Sequence, residues 1–268
     1  MKYGERDMKI GMKGEDVEEL QIRLSGFSGG LPDGGFGPRT EKMVKQFQKN
    51  FMKMEPTGIA DENVRKAIER LIDYYPINME SLKCTCGTDP KYKNWPNPTC
   101  NGFGMGQDKG VYAENSFKVE MNHQYEYPGI HRSILWASRA LRFYRSDLSF
   151  IYTSGYRCKQ RNIQKKRNST NHMGKAIDLD IVGNLNGKTD LQICNEIRAL
   201  GVEKCNSQIK WNKPNLKAFE PETIAPTWIH WDVREFPANC LADRFFCKTE
   251  KELNGERFYL QVKNWKKP

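Results

Sequence analysis

No run of about 18 consecutive apolar residues occurs anywhere in the chain, so no membrane-spanning helix and no stable membrane insertion are expected. An apolar leader is missing too. The first residues, Met1-Lys2-Tyr3-Gly4-Glu5-Arg6-Asp7, are charged and lead straight into a helical pattern. The chain is therefore expected to be made in the cytoplasm without a signal peptide and to reach any outer target by another route. Lysine and arginine are not gathered into one helix or interleaved with aromatics, so nucleic acid is not an expected partner. The net charge of +10 then points to another polyanion, such as an anionic envelope. Histidine is scarce as well, with four in 268 residues.

Two of those histidines fall in segments built for metal. One is Asn171-His172-Met173-Gly174-Lys175-Ala176-Ile177-Asp178 and the other is Trp228-Ile229-His230-Trp231-Asp232. Two imidazoles and one carboxylate are a ligand set that catalytic zinc prefers, with a fourth position kept for water. Residues 175–181 alternate, with Ala176, Asp178 and Asp180 on one face, and residues 228–233 alternate with His230 and Asp232 on one face. If these strands pair, His172, Asp178 and His230 converge from three directions. Arg157, at the end of the apolar strand 150–154, can hold a substrate carboxylate or a developing oxyanion. His131 stands at the start of a helix spanning 131–145, where a cap, a surface position or a substrate contact all remain open.

The eight cysteines do not reveal their pairing. Cys84, Cys86 and Cys100 share one loop-like region, where a structural metal site is one alternative to thiols or disulfides. Cys240 and Cys247 lie close together, while Cys158, Cys194 and Cys205 stand apart. Free thiols at synthesis are the expectation.

Residues 8–71 read as three short helices. Val17, Leu20 and Leu24 repeat at helical spacing. Gly37 and Pro38 then mark a helix start, ahead of Val44, Phe47 and Phe51. Asp61 caps a third helix carrying Val64, Ile68 and Leu71. The strings Gly14-Glu15-Asp16-Val17-Glu18-Glu19-Leu20-Gln21, Asp33-Gly34-Gly35-Phe36-Gly37-Pro38-Arg39-Thr40 and Val44-Lys45-Gln46-Phe47-Gln48 resemble the peptidoglycan-binding domain found on bacterial and phage wall hydrolases. The resemblance implies a module that recognises glycan or stem peptide. Residues 72–128, poor in periodicity, read as a linker or a cysteine-containing insertion. Residues 129–268 read as a catalytic domain with an antiparallel sheet carrying the metal site. The fold class is thus α+β: a small three-helix module followed by a mixed α+β domain.

Ser154-Gly155-Tyr156-Arg157 and the two histidine segments together resemble the zinc D-alanyl-D-alanine carboxypeptidase and L-alanyl-D-glutamate endopeptidase family, which includes VanY-like enzymes and phage endolysins. The resemblance implies Zn2+ held by His172, Asp178 and His230, with Arg157 binding substrate. Only Met173 separates His172 from Gly174, one residue fewer than the family pattern. Asp180 is therefore an alternative ligand, although Asp178 keeps the family's register. Where many members carry a catalytic carboxylate three residues before the last histidine, this chain has Thr227. Glu220, Glu222 and Asp232 are the remaining candidates for general base, and Asp232 could instead orient His230. The implied activity is peptidoglycan hydrolysis by an endolysin, a monomeric zinc metallopeptidase cutting stem-peptide bonds. The alternatives are a carboxypeptidase trimming terminal D-alanine and a non-catalytic wall-binding protein.

Overall fold

A computed structural model describes residues 1–87, 100–108, 125–167, 172–183 and 185–255. The architecture is α+β, as the sequence indicates. Three helices come first: α1 (Glu15–Arg23), α2 (Pro38–Asn50) and α3 (Glu62–Tyr74). Pro38 opens α2 at the position where its missing N–H costs nothing. The Asp61 side chain accepts from Val64 N–H at the start of α3. Gln21 ties α1 to the turn that follows. Its amide donates to Asp33 Oδ1, Gly35 O and Thr40 Oγ1, and its carbonyl accepts from Gly34 N–H. Gly34 sits at φ +73°, in the left-handed region that a side chain disfavours. Val17, Leu20, Val44, Phe47, Ile68 and Leu71 fill the core between the helices.

The second part contains the hairpin β1 (Gln107–Asp108) and β2 (Tyr125–Glu126), then β3 (Ile130–His131), α4 (Arg132–Tyr144), β4 (Ser149–Ser154), α5 (Lys159–Gln164) and β5 (Ala176–Val182). It continues with α6 (Asp190–Cys205), β6 (Ser207–Ile209), β7 (Lys217–Phe219), β8 (Ile229–Asp232), β9 (Phe246–Cys247) and α7 (Glu250–Leu253). The main sheet runs β4-β5-β8-β7-β6. The strands that carry the site pair antiparallel, as the sequence indicates, and only the edge pair β6–β7 is parallel. α6 carries the chain from β5 across to β6 at the far edge, and residues 210–216 then return it to β7 in the same direction. Among the described residues no helix is long and apolar enough to cross a membrane.

Residues 72–87 are no free linker. Ile77, Met79, Leu82 and Cys86 are buried in the common core, as is Phe103 beyond the undescribed stretch. Their apolar side chains pack with the second part. Cys158, read as a separate residue, lies with Cys84, Cys86 and Cys100. All eight cysteines are free thiols.

The two parts meet along a tight seam between α1 and α4. A Cβ on Gly26 would collide with the Cβ of Ala140. Phe27 packs against Phe143 and Tyr144. Lys204 O accepts from Ser28 N–H, and Gly29 O accepts from the buried Lys217 Nζ at 3.0 Å. At the centre Glu19, fully buried, receives both terminal nitrogens of Arg132 at 2.6 and 2.7 Å and Arg23 Nε at 2.8 Å. Burial works against the Glu19 charge, yet Arg132 and Arg23 outweigh it and hold the carboxyl below its usual range. Removing the charge takes away the buried carboxylate that Arg132 and Arg23 share, leaving Arg23 the exposed Glu69 and Arg132 carbonyl partners such as Leu253 O, so Glu19→Gln should lower stability by about 3–5 kcal/mol. Urea unfolding of the full chain checks this, and a loss under about 1 kcal/mol would contradict a structural role for the cluster.

Candidate metal centre

The register of β5 against β8 sets Asp178 directly opposite His230. Side chains opposite each other in an antiparallel pair share a face, so the carboxylate and imidazole meet on one side of the sheet. His230 Nδ1 stands 2.7 Å from Asp178 Oδ1. The third group arrives from the segment before β5. His172 Nε2 lies 3.4 Å from Asp178 Oδ2, and the rings of His172 and His230 are 5.0 Å apart. The three ligand atoms all lie within 4.8 Å of one another.

The single residue between His172 and Gly174 makes a tight turn that the backbone accommodates. Gly174 sits at φ +125°, and a Cβ there would press on Gly129 O and Tyr127 Cβ, both at 2.7 Å. Gly174 O accepts from His131 N–H at 2.8 Å, Met173 O from Tyr127 N–H at 3.0 Å, and His172 O from Arg157 N–H at 2.6 Å. Successive carbonyls are thus pinned on different neighbours, and the tight turn still delivers His172 to the cluster.

Each imidazole is oriented from behind. His172 Nδ1–H donates to Gly155 O at 2.8 Å, which leaves the Nε2 lone pair facing Asp178. His230 Nε2 faces Asp232 Oδ2 at 3.1 Å, which leaves Nδ1 facing the cluster. Asp232 is itself saturated: Trp211 Nε1 at 3.2 Å and Arg234 Nε at 2.8 Å both donate to Oδ2. Arg234 also lies over the Trp211 ring, 3.7 Å from its centroid. Neither Trp211 nor Arg234 was marked by a sequence motif. Donor chemistry, spacing and outer hydrogen bonds all suit a divalent ion bound through His172 Nε2, Asp178 and His230 Nδ1.

The cluster forms the floor of a cleft of about 580 Å³, edged by the cations Lys83, Arg157, Arg161, Lys165 and Arg167. Arg157 Nη2 donates to Asp178 Oδ2 at 2.9 Å and its Nε to Ser154 Oγ at 3.1 Å. Asp180, the alternative ligand, lines the cleft one pleat further along β5 but stands outside the ligand cluster.

The candidates for general base separate cleanly. Asp232 is completely buried behind His230 and does not line the cleft. Its burial raises its pKa, but the His230 and Arg234 contacts win and hold it at about 2. With His230 Nε2, Trp211 Nε1, Arg234 Nε and the Arg234 backbone N–H all directed at it, this buried carboxylate is placed to orient His230 rather than to reach a water in the cleft. Glu222 points to the exterior, where its carboxylate accepts from Asn195 Nδ2, and it also stays out of the cleft. Glu220 does line the cleft, and its backbone N–H donates to His230 O at 3.1 Å, fixing it beside the metal ligand. His131 is a buried cap: Nδ1 accepts from Ser133 N–H, Nε2–H donates to Cys240 O at 2.9 Å, and burial lowers its pKa to about 4. That excludes the substrate contact considered for it. His123 lies outside the described residues.

Residues 13–68 match a family model described as "Putative peptidoglycan binding domain". No curated protein matches the chain.

Burial opposes a proton on His230, but hydrogen bonds to Asp178 and Asp232 outweigh it and raise the pKa to about 9. Burial lowers that of His172. Near neutral pH the metal-free site therefore holds one proton, on His230, that an incoming cation must displace. Affinity for zinc should fall about tenfold per pH unit on acidification between about pH 8 and pH 6, with one proton released per ion. Calorimetric titration in buffers of different ionisation enthalpy measures both quantities, and binding without proton release would contradict this protonation state.

Proposed function

We propose that the protein is a peptidoglycan hydrolase of the endolysin type, a monomeric zinc peptidase related to the VanY-like family that cuts an amide bond of the stem peptide. The bond is the L-alanyl–D-glutamate bond or a D-alanyl endopeptidase bond. The observation that carries this reading is the cluster of His172, Asp178 and His230 on the floor of an open cleft, in a chain whose residues 13–68 match a peptidoglycan-binding family. Bound by those three side chains, zinc would supply Lewis-acid activation of water and polarisation of the scissile carbonyl.

The protein's own residues divide the remaining work. Glu220 is the carboxylate that takes a proton from the attacking water and returns it to the leaving amine, since it alone of the three candidates faces the cleft. Arg157 holds the Asp178 carboxylate in place and offers its guanidinium edge to the developing oxyanion or to a substrate carboxylate. The cationic rim draws in the acidic stem peptide, while the helical module keeps the chain on the polymer. The same rim would also seat a free terminal carboxylate, which favours a D-alanyl-D-alanine carboxypeptidase as the second reading.

Mass spectrometry of purified peptidoglycan digested by wild type and by His172→Ala tests the proposal. New stem-peptide termini made by wild type alone are expected. Free D-alanine as the sole product would select the carboxypeptidase, and intact walls in both digests would leave only binding. Glu220→Gln should lower kcat by about 10²–10⁴-fold with metal content unchanged, whereas Glu222→Gln should stay near wild type. The reverse ranking would move the general base to Glu222.

A further inference from the structure

Four cysteines from three separate stretches meet beside the cleft. The sulfurs of Cys84, Cys86, Cys100 and Cys158 all lie within 4.8 Å of one another. Two disulfides would require closeness only within each pair. Here every sulfur is near the other three, as a tetrahedral centre requires: with Zn–S of about 2.3 Å, the sulfurs stand about 3.8 Å apart. The backbone already treats these sulfurs as acceptors. Cys158 N–H points at Cys84 Sγ at 3.4 Å, and Arg161 N–H points at Cys158 Sγ at 3.3 Å. Cys84 N–H is meanwhile taken by Gly102 O at 2.8 Å, which ties the first cysteine stretch to the second. N–H groups directed at sulfur stabilise thiolates and are the usual outer partners of bound thiolate ligands.

We propose that Cys84, Cys86, Cys100 and Cys158 form a structural zinc site, distinct from the His172–Asp178–His230 cluster. Each thiol gives up its proton to solvent on coordination, and no electron is transferred. Four sulfur ligands close the coordination sphere, so this ion does no chemistry on substrate.

Its position gives it a mechanical task. Cys158 directly follows Arg157, and the segment 155–158 is what shapes one wall of the candidate metal centre. Gly155 O orients His172, and Arg157 reaches Asp178. The segment rests on the chain just ahead of Cys84: Tyr156 N–H donates to Leu82 O at 2.7 Å, and a Cβ on Gly155 would meet Leu82 O at 2.6 Å and Leu82 Cα at 2.8 Å. The segment lies past the end of β4, where ladder bonds stop, and is held by these contacts, by Arg157 N–H on His172 O and by the Tyr156 ring against Phe103. A tetrathiolate ion would clamp 82–86, 100–102 and 155–158 into one block and thereby fix the direction of Arg157 and of the Gly155 carbonyl.

The inference stands apart from the peptidase reading, since it concerns metal content and not catalysis. The full-length chain, grown with zinc and purified with its thiols reduced, is analysed by inductively coupled plasma mass spectrometry beside the double variant His172→Ala/His230→Ala. Wild type is expected to hold two zinc ions and the histidine variant one. Cobalt exchanged into the histidine variant should show the intense sulfur-to-cobalt charge-transfer band and the visible bands of tetrahedral thiolate coordination. Cys84→Ser/Cys86→Ser should lose that ion and the band. Should the cysteine variant fail to fold, the histidine variant still decides, because it keeps all its thiols. A histidine variant free of metal, one that binds cobalt without the sulfur band, or one whose four cysteines are isolated as disulfides would overturn the proposal. Iron in place of zinc would overturn the assignment of the ion.

Discussion

A carboxylate sealed from water is costly unless cations reach it, and Glu19 is reached by two. Arg23 comes from its own helix and Arg132 is the first residue of α4. Arg132 also donates to Leu253 O, at the end of α7. One buried ion cluster therefore registers the helical module, the buried helix α4 and the short helix α7 against each other. The consequences extend to the cleft. Arg132 directly follows His131, whose backbone N–H holds Gly174 O and whose ring caps α4. Gly174 in turn sets the position of His172. A chain of adjacent contacts leads from a charge in the first helix to a ligand of the candidate metal centre.

The centre itself rests on strand pairing. Because Asp178 and His230 face each other across one antiparallel ladder, their separation follows from the sheet and needs no loop to adjust it. Only His172 depends on a turn, and that turn is held by three backbone hydrogen bonds and by packing at Gly174 too close for a side chain. Asp232 and Gly155 complete the arrangement by choosing which nitrogen of each imidazole is presented. A site built this way is preorganised before any ion or substrate arrives.

Much of this could be read in the residues because the signals are local. Pro38 and Asp61 mark helix starts wherever they occur, and alternation in 175–181 and 228–233 reveals which side chains share a face. The triad follows once those two strands are paired. The features that could not be read depend on the way distant segments fold over the sheet. Glu220, Glu222 and Asp232 lie within thirteen positions and look equivalent in sequence, yet one faces the cleft, one the exterior and one the interior. Cys158 is distant in sequence from the other three cysteines, and its own neighbours do not reveal that it joins them. The parallel edge pair β6–β7 was hidden for a similar reason, since its direction depends on the path that residues 210–216 take between the two strands.

Gly26, in the turn that follows α1, lets that turn touch α4 backbone to side chain, with Ala137 and Ala140 as the facing surface. Contact that close leaves no slack between the anchoring module and the rest of the molecule. A flexible tether would let the cleft search a sphere around its anchor, with local concentration set by tether length. A welded joint replaces that search with a single offset and a single angle, like the fixed arm of a compass. Which strands of a cross-linked mesh fall under the cleft would then depend on mesh spacing as well as on bond chemistry.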